Sequence, residues 1–455
     1  MLNNASSRHA GGVMMDNTSH DGVTECDVLV IGGGPAGSTA AALLAQKGYR
    51  VTMLEKSRHP RFHIGESLLP ANVRLFEALG VADEIRGIGM VKWAAEFESP
   101  AHDNKQVFEF SEAWDPTARY AYQVQRAEFD EILFRNAARK GATAIEGCRV
   151  TDVTFLPNAS GALVRAKAED GTEQSWRARF VLDASGRDTF IGTRMKAKLR
   201  NKRHNSTAVY AHFTGVQRNE GKNEGNITIF WFPHGWIWLI PLANGKTSIG
   251  AVIWPYYLKS RTKPLPEFLM DSLKLCPHLM KRMQHAELAS QVSATGNYSY
   301  VCNHTHGQNY LLLGDAYTFI DPVFSSGVML AMQSAFVGAE TVDTCLTRPA
   351  AARAALKRFD KSMRTGPAMF TWFIYRVSGP TMRALFMSPR NFLSTKKAVL
   401  SVLAGDVFGR SPIGPSLFVF KIVYYLTALF NLPRSIAGWR DRKNNIREVR
   451  IDGLA

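Results

Sequence analysis

The chain has 455 residues, 45% of them hydrophobic, which predicts a soluble globular protein with two or three structural regions. Its five cysteines lack CxxC spacing, which argues against a disulfide framework and against a metal site. The net charge of +16 at pH 7 indicates an anionic partner, namely nucleic acid, membrane lipid or an acidic carrier protein. Nucleic acid is the least favoured, because no zinc-finger, helix-turn-helix or aromatic RNA-binding pattern accompanies the charge.

The amino-terminal segment is polar. Up to His20 it is rich in Asn, Ser, His and Gly and has no apolar core, so it does not have the pattern of a secretory signal. We interpret residues 1–24 as a disordered tail, and the whole chain as a protein of the reducing cytoplasm.

A glycine-rich turn follows the first predicted strand. The apolar run at 28–31 leads into Gly32-Gly33-Gly34-Pro35-Ala36-Gly37, and residues 38–47 follow with helical spacing of Ala and Leu. A second predicted strand, 50–54, ends on Glu55, about 20 positions after the first glycine, as in dinucleotide-binding sites. The combination of strand, turn, helix and acid favours such a site over an ordinary glycine loop.

Each part of this turn has a physical task. Gly32 allows the tight turn, Gly34 lets the backbone approach a pyrophosphate, and Gly37 lets the helix pack closely on the strand. The helix amino terminus offers N–H groups to phosphates, and Glu55 accepts hydrogen bonds from ribose hydroxyls.

The next segments hold two basic residues whose roles the local pattern leaves open. Lys92 lies in 87–97, a predicted turn and strand, where a lysine is usually an edge or snorkelling residue. Arg126 lies where 120–134 changes from strand to helix, so it either contacts a cofactor phosphate or forms an ordinary ion pair.

The middle of the chain predicts strands. They cover 148–155, 163–168 and 175–181, and the last leads into Leu182-Asp183-Ala184-Ser185-Gly186-Arg187. From 226 to 254 apolar residues alternate, with turns at His234-Gly235 and Asn244-Gly245, which predicts an antiparallel meander. Trp236, Trp238 and Ile240 share one face of it, and by themselves would be interpreted as core.

A second loop-to-helix junction lies at 309–335. A buried strand, 310–313, ends on Gly314-Asp315, and Asp321-Pro322-Val323-Phe324-Ser325-Ser326-Gly327 leads into a helix that begins near Val328. The Ser326 and Gly327 amides at this helix start could hold an anion, or the segment could be a capped helix with a tight loop.

The carboxy-terminal region contains an apolar run at 417–430 that holds Lys421. It is shorter than the ~20 residues that a spanning helix needs. We favour packing on the core, while cover of an active site and contact with a membrane interface stay open, because Arg434, Arg440, Arg442 and Lys443 follow directly.

Together these segments resemble the flavin-dependent halogenases, which share their fold with aromatic hydroxylases. The resemblance covers about residues 26–351 and rests on the glycine turn at 32–37, His63-Ile64-Gly65-Glu66-Ser67, Trp236-Ile237-Trp238-Leu239-Ile240-Pro241, and the junction at 314–327. The Trp-x-Trp-x-Ile-Pro sequence is the family's own signature, and it is complete here.

The resemblance implies an α/β, glycine-fingerprint FAD-binding fold with an antiparallel substrate region and a mainly helical carboxy-terminal region. The implied domains are an FAD-binding halogenase core at 25–365 and a helical region at 366–455. The implied site residues are Gly32, Gly34, Pro35, Ala36, Gly37, Glu55, Lys56, Glu66, Arg126, Asp315 and Val328 for FAD, Ser326 and Gly327 for halide, and Lys92, Trp236 and Trp238 for catalysis.

The implied reaction uses FADH2 from a separate flavin reductase, O2, and chloride or bromide. Hypohalous acid forms near the flavin and travels to Lys92, which either hydrogen-bonds it or becomes an N-halo amine beside an electron-rich ring. The two tryptophans separate flavin from substrate, which disfavours direct oxygen transfer.

The sequence also bears on the substrate. Tryptophan halogenases carry a glutamate in the loop where this chain has Phe324, so the chain looks more like the phenol and pyrrole halogenases, whose substrates are often tethered to an acidic acyl or peptidyl carrier protein. The alternatives are a flavin hydroxylase, a membrane-associated isoprenoid reductase of the same fold, and a flavin-binding scaffold without turnover.

Overall fold

The computed structural model describes residues 22–99, 102, 104–296, 299–409 and 411–447. The strands are β1 (Val23–Ile31), β2 (Val51–Leu54), β3 (Met90–Lys92), β4 (Ala94–Ser99), β5 (Asn104–Glu109), β6 (Ala121–Gln123), β7 (Thr143–Ile145), β8 (Cys148–Phe155), β9 (Ala162–Ala168), β10 (Glu173–Asp183), β11 (Lys198–Arg200), β12 (Thr207–Thr214), β13 (Ile227–Phe232), β14 (Gly235–Pro241), β15 (Thr247–Ile253), β16 (Glu287–Leu288), β17 (Ser293–Thr295), β18 (Tyr300–Cys302), β19 (His306–Gly307), β20 (Tyr310–Leu312) and β21 (Thr318–Phe319). The helices are α1 (Pro35–Gln46), α2 (Pro70–Leu79), α3 (Ala82–Ile88), α4 (Arg126–Arg139), α5 (Phe190–Arg194), α6 (Pro255–Lys259), α7 (Leu265–Lys274), α8 (Pro277–Arg282), α9 (Gly327–Thr347), α10 (Ala352–Val377), α11 (Pro380–Met387), α12 (Thr395–Leu403), α13 (Gly414–Phe430) and α14 (Leu432–Arg447).

The first sheet places the carboxyl ends of β1, β2 and β10 side by side. Its order is β19-β20-β10-β1-β2-β7, and β1 runs parallel to both β10 and β2. Ile31 is in register with Leu54 on one side and with Asp183 on the other. The glycine turn and Glu55 therefore emerge at the same carboxyl edge, where open α/β sheets bind their ligands. The predicted strands and the α/β class are confirmed, and α1 begins at Pro35, earlier than predicted.

The second sheet contains the predicted meander. Its order is β16-β12-β15-β14-β13-β4-β5, and β13, β14 and β15 pair antiparallel as the sequence predicts. Trp236 and Trp238 point to the face that the carboxy-terminal helices cover, whereas Ile237 and Leu239 point to the face covered by α7 and α8. The sheet thus separates two apolar clusters, and the tryptophans belong to the one nearer the cavity described below.

The carboxy-terminal region is helical, as predicted. The predicted boundary between residues 365 and 366 falls inside α10, which continues across it without a break. The predicted tail lies almost wholly outside the described residues, and β1 begins at Val23. The domain limits stay a prediction.

The expectation that 417–430 packs on the core holds for one face of the helix, where Leu417 and Phe420 join a core cluster, and not for the other. In α13 only Ser416, Leu417 and Phe420 are buried, because a single face of the helix contacts the protein. In the part of the chain that the structure describes, no unbroken helix has both the length and the apolar character needed to cross a membrane; α13 and α14 meet that test only as a pair bent by 101°.

Candidate active site

A cavity of about 440 Å³ lies at the carboxyl edge of the parallel sheet. Its walls come from the ends of β1, β2 and β10, from the meander and from the start of α9. The predicted residues that line it are Gly32, Gly34, Pro35, Ala36, Glu55, Lys56, Glu66, Arg126, Trp236, Trp238, Asp315, Gly327 and Val328. Gly37, Lys92 and Ser326 are not among its lining residues. The structure therefore brings most of the predicted residues together around one space.

The glycine turn is closely packed. Gly32 has φ of +100°, and a Cβ atom on Gly37 would lie 1.9 Å from the Gly32 carbonyl oxygen. A side chain at Gly37 would therefore force α1 away from β1. This close approach keeps the first turn of α1, from Pro35, in the cavity wall, where its N–H groups favour a bound phosphate.

Glu55 lies beside this turn. Its carboxylate accepts hydrogen bonds from the Gly33 N–H at 2.7 Å and from the Ser57 N–H at 3.0 Å. The next residue, Lys56, forms an ion pair with Asp188 across the cavity rim. Glu55 thus fixes the backbone of the glycine turn and also lines the cavity.

Two arginines are held in the cavity wall by one buried carboxylate. Asp130 accepts hydrogen bonds from Arg126 at 2.8 and 3.0 Å and from Arg61 at 3.1 Å. Burial alone would raise the pKa of Asp130, but the two guanidinium groups hold this pKa below its usual value. Because Asp130 is ionised, it keeps both cations fixed at the cavity, where they suit an anionic ligand.

Asp315 follows β20 and faces the same cavity. Removal of its carboxylate from bulk water raises its pKa to about 6, and Arg126 and Arg187 offset this effect only in part. A carboxyl group in this setting is suited to accept hydrogen bonds from ligand hydroxyls.

Glu66, in the cavity wall, pairs with the partly buried His212. The His212 Nε2 and Glu66 Oε1 atoms are 2.7 Å apart, and Glu66 is 2% exposed. The other carboxylate oxygen, Oε2, has no hydrogen-bond partner among the described residues. A ligand that donates a hydrogen bond would satisfy this oxygen.

Lys92 lies behind the cavity wall rather than in it. Its side chain is 1% exposed, and its ammonium donates hydrogen bonds to Ser67 Oγ at 2.9 Å and to the Leu68 carbonyl at 2.7 Å. The same nitrogen lies 5.4 Å from the centre of the Phe110 ring. Burial lowers the pKa of Lys92 from 10.5 to about 7. Ser67 lines the cavity, so one side chain connects Lys92 to it.

The tryptophan pair stands on the second sheet. The ring centres of Trp236 and Trp238 are 6.0 Å apart, and Trp238 Nε1 donates a hydrogen bond to Ser248 Oγ at 3.1 Å. On the neighbouring strand, a Cβ atom on Gly250 would lie 2.3 Å from the Trp238 ring. The absence of a side chain at Gly250 therefore makes the space that the Trp238 ring occupies.

The start of α9 faces the cavity through Gly327 and Val328. Ser325, two residues before Gly327, has φ of 54°, and this left-handed conformation turns the chain into the helix. The first N–H groups of a helix lack partners within it and carry a partial positive charge, and α9 is 21 residues long. The Ser326 Oγ atom is buried and has no hydrogen-bond partner among the described residues. The arrangement suits a small anion.

Phe324 precedes this turn and packs against aromatic side chains. It is 4% exposed, and its ring lies 6.5 Å from Phe370 and 6.2 Å from Phe373 on α10. The carboxy-terminal helices thus cover this side of the loop with aromatic side chains.

Sequence reasoning missed Asp130, His212 and Gly250. Asp130 lies four residues after Arg126 on α4, and this i, i+4 spacing could have identified it. His212 on β12 and Gly250 on β15 carry no local signal, because their partners Glu66 and Trp238 come from other elements.

Comparisons with known proteins agree on one group. The family described as FAD binding domain matches residues 25–360. A flavin-dependent halogenase of Penicillium aethiopicum is 34% identical over 370 residues, which are 76% of this chain and 69% of the relative. A tryptophan 2-halogenase of Chondromyces crocatus is 35% identical over 328 residues, which are 70% of this chain and 61% of the relative.

Two further similarities were found. One is to a relative named for a carrier-bound substrate, and the other is to a solved structure. The 1H-pyrrole-2-carbonyl-[peptidyl-carrier protein] chlorinase of Pseudomonas fluorescens is 28% identical over 408 residues, which are 84% of this chain and 89% of the relative. A solved structure of the myxobacterial chondrochloren halogenase superimposes with a TM-score of 0.74 and 30% identity, covering 86% of this chain and 99% of the other.

Proposed function

This chain belongs to the flavin-dependent halogenases, and from that premise we propose that it halogenates an electron-rich phenolic or pyrrolic ring with Lys92 as the catalytic lysine. The observation that carries the proposal is the position of Lys92. It is a fully buried amine with a pKa of about 7, joined through Ser67 to the cavity that fits the cofactor. A surface lysine would have neither property.

The cavity residues fit FAD. The α1 amino terminus and the Arg61 and Arg126 cations suit the pyrophosphate, while Glu55 and Asp315 supply acceptors for hydroxyl groups. Bound and reduced, FAD supplies the electrons with which O2 and a halide are converted to hypohalous acid. The proposed source of the reduced cofactor is a separate flavin reductase.

The halide is assigned to the start of α9. The Ser326 and Gly327 N–H groups would hold chloride or bromide at the positive end of the helix dipole, as supported by the position of Gly327 in the cavity wall. Glu66, on another wall, has a buried carboxylate oxygen that would take a hydrogen bond from a donor on the bound ligand if the ligand reaches it.

The tryptophan pair would keep the substrate away from the flavin. Trp236 and Trp238 line the cavity and are both about 5% exposed or less, so their rings form a closed apolar wall rather than a mobile lid. A substrate on the far side cannot contact the cofactor directly, and the oxidised halogen has to reach it by diffusion.

Lys92 would hold that halogen. An ammonium at this position donates a hydrogen bond to hypohalous acid, whereas the neutral amine forms an N-halo amine by displacing water from it. With a pKa near 7, both protonation states are available at neutral pH, and either one keeps the electrophile at a fixed place beside the ring.

The apolar setting of Phe324 supports a phenolic or pyrrolic ring over free tryptophan. Phe324 and the α10 aromatics offer no carboxylate to bind an amino acid's ammonium group. A substrate tethered to an acidic carrier protein is supported by the similarity to the pyrrole-carrier chlorinase and by the net charge of +16.

The test combines the purified chain with FAD, NADH, a flavin reductase, bromide and chloride. Free phenols and indoles are offered beside carrier-bound hydroxybenzoyl and pyrrolyl groups, and mass spectrometry detects the halogen isotope pattern. We expect halogenated phenol or pyrrole. Hydroxylation without halogen would contradict the proposed reaction, and halogenation of indoles alone would contradict the substrate class.

Variants then test the role of Lys92. Lys92→Met keeps an apolar side chain of similar volume, and we expect halogenation to fall by about a hundredfold or more while FAD still binds and reduced flavin is still oxidised. Lys274→Ala, at an exposed lysine of α7, is the matched control and should retain full activity. Undiminished halogenation by Lys92→Met would exclude Lys92 from the mechanism.

A further inference from the structure

One face of α13 presents apolar side chains to the outside of the molecule. Their spacing of three to four residues places them in a single stripe along the helix. They are between 43% and 84% exposed: Phe418, Ile422, Tyr425, Leu426, Leu429 and Phe430, together called the outer stripe below. A surface helix normally turns such a stripe inward, so this orientation requires an explanation.

The opposite face of the same helix is anchored in the protein. Phe420 lies 6.2 Å from the Trp372 ring and 5.9 Å from the Phe373 ring of α10, and Leu417 is buried beside it. α13 therefore has a fixed orientation, and the outer stripe is its other side.

Neighbouring segments extend the outer stripe. Phe392 and Leu393, which are 65% and 60% exposed, lie on a short segment that packs against α13. Beyond the 101° bend, α14 exposes Leu432, Ile436 and Trp439 at intervals of four and three residues. The apolar surface thus covers two helices and a loop.

Basic residues predominate around this surface. Residues 411–446 contain a single acid, Asp441, against five basic residues, Lys421, Arg434, Arg440, Arg442 and Lys443. Of these, Arg442 packs inward on the Tyr375 ring. The Lys443 ammonium lies 4.8 Å from the centre of the Trp439 ring. A tryptophan beside cations, next to an apolar stripe, is the composition of helices that lie in a bilayer interface.

We propose that α13, α14 and the loop at 392–393 form a docking surface for a bilayer that contains anionic lipids. The outer stripe would enter the boundary between headgroups and acyl chains, and Arg434 and Arg440 would contact lipid phosphates. Acyl chains need no hydrogen-bonding partner, and the outer stripe offers no polar side chain except the Tyr425 hydroxyl. A protein partner is less well matched, because protein interfaces carry a polar rim with about one hydrogen bond per 100–200 Å².

The test is flotation of the FAD-loaded full chain with vesicles. Vesicles of phosphatidylcholine mixed with phosphatidylglycerol are compared with vesicles of phosphatidylcholine alone. We expect binding to the anionic vesicles that weakens as the salt concentration rises, and roughly tenfold weaker binding to the neutral ones. No flotation with anionic vesicles, or equal binding to both kinds, would overturn the proposal.

Two sets of variants locate the contact. The triple variant Phe418→Ser, Leu429→Ser, Phe430→Ser should lose vesicle binding by roughly tenfold or more, because three apolar side chains no longer enter the lipid. Leu288→Ser, at a leucine that is 52% exposed on β16, is the matched control and should bind as the parent does. All these positions are exposed, so retained FAD absorbance in each variant verifies folding. Unchanged binding by the folded triple variant would overturn the proposal.

A second copy of the chain is the remaining occupant to exclude. Light scattering without vesicles measures whether the parent dimerises. A dimer that the triple variant abolishes, together with absence of vesicle binding, would assign the outer stripe to self-association instead. A parent that stays monomeric and floats with anionic vesicles would support the bilayer. These outcomes do not depend on halogenase activity.

Discussion

The Lys92 ammonium donates a 2.9 Å hydrogen bond to Ser67 Oγ, and Ser67 itself lines the cavity on its other side. Ser67 follows Glu66, which lines the same wall and is paired with His212. The chain segment 66–68 therefore separates the cofactor cavity from the buried lysine by the thickness of one residue. This contact makes Ser67 a positioning residue for Lys92, and it can be tested separately from the lysine.

Replacement of Ser67 by alanine should slow halogenation without weakening the flavin site. Lys92 would keep only the Leu68 carbonyl as acceptor, and the loss of one hydrogen bond to a charged group costs about 1.5–3 kcal/mol. We expect halogen transfer to slow by about tenfold or more, with unchanged FAD affinity and NADH-driven O2 consumption. Ser111→Ala, at an exposed serine, serves as the control. A parallel loss of FAD binding would instead indicate a structural role for Ser67.

The buried amine makes stability depend on pH in a defined direction. Burial lowers the pKa of Lys92 from 10.5 to about 7, so between these values the unfolded chain carries a proton that the folded chain lacks. The free energy of unfolding should therefore rise with pH across this interval, by about 1.4 kcal/mol per pH unit from this group. Below about pH 7 the amine is protonated in both states, so the full cost of burying an ammonium lowers the free energy of unfolding.

Comparison with Lys92→Met isolates this contribution, because the other titrating groups are common to both proteins. Urea unfolding at several pH values should show the parent gaining stability relative to the variant as the pH rises. A difference that stays constant with pH would mean that the lysine keeps an ordinary pKa in the folded protein.

Substitution of Gly250 by alanine should disturb the tryptophan pair. The new Cβ atom would lie 2.3 Å from the Trp238 ring and 2.6 Å from the Tyr210 Cβ atom, so the ring has to move. We expect a loss of about 1–3 kcal/mol in unfolding free energy and a change in the near-ultraviolet circular dichroism of the tryptophans. Gly87→Ala, where the Cβ atom meets nothing within 4 Å, is the control and should not destabilise the protein. Equal effects of the two substitutions would contradict the packing argument.

Loss of the Asp130 charge should release the arginines that face the cofactor. Asp130→Asn leaves the buried Arg126 without its counter-ion and removes the ion pair to Arg61, and breaking a buried pair costs about 3–5 kcal/mol. We expect lower thermal stability and weaker FAD binding, measured by titration. Asp83→Asn breaks an exposed pair with Arg86 and should leave the stability nearly unchanged, because water screens this pair. Unaltered FAD affinity in Asp130→Asn would show that the ion pairs of Asp130 with Arg126 and Arg61 are not needed to bind the cofactor.

The sequence by itself determined the features that depend on neighbouring residues. The glycine turn, Glu55 at the end of β2 and the common face of Trp236 and Trp238 follow from steric limits on the backbone and from the two-residue period of a strand. These constraints act over a few neighbouring residues, so the amino-acid sequence alone reveals them. The antiparallel meander was predicted for the same reason.

Only the tertiary structure decided which distant groups meet. Lys92 reaches Ser67 because β3 pairs with β6 and thereby packs against the segment at 66–68, and no local pattern encodes that distance. The orientation of α13 is the clearest difference from expectation. Its sequence is apolar all round, so composition alone favoured burial. Instead α10, α11 and α12 cover only one of its faces and leave the outer stripe exposed. Burial depends on which surfaces the rest of the fold supplies, and that is a property of the assembled structure.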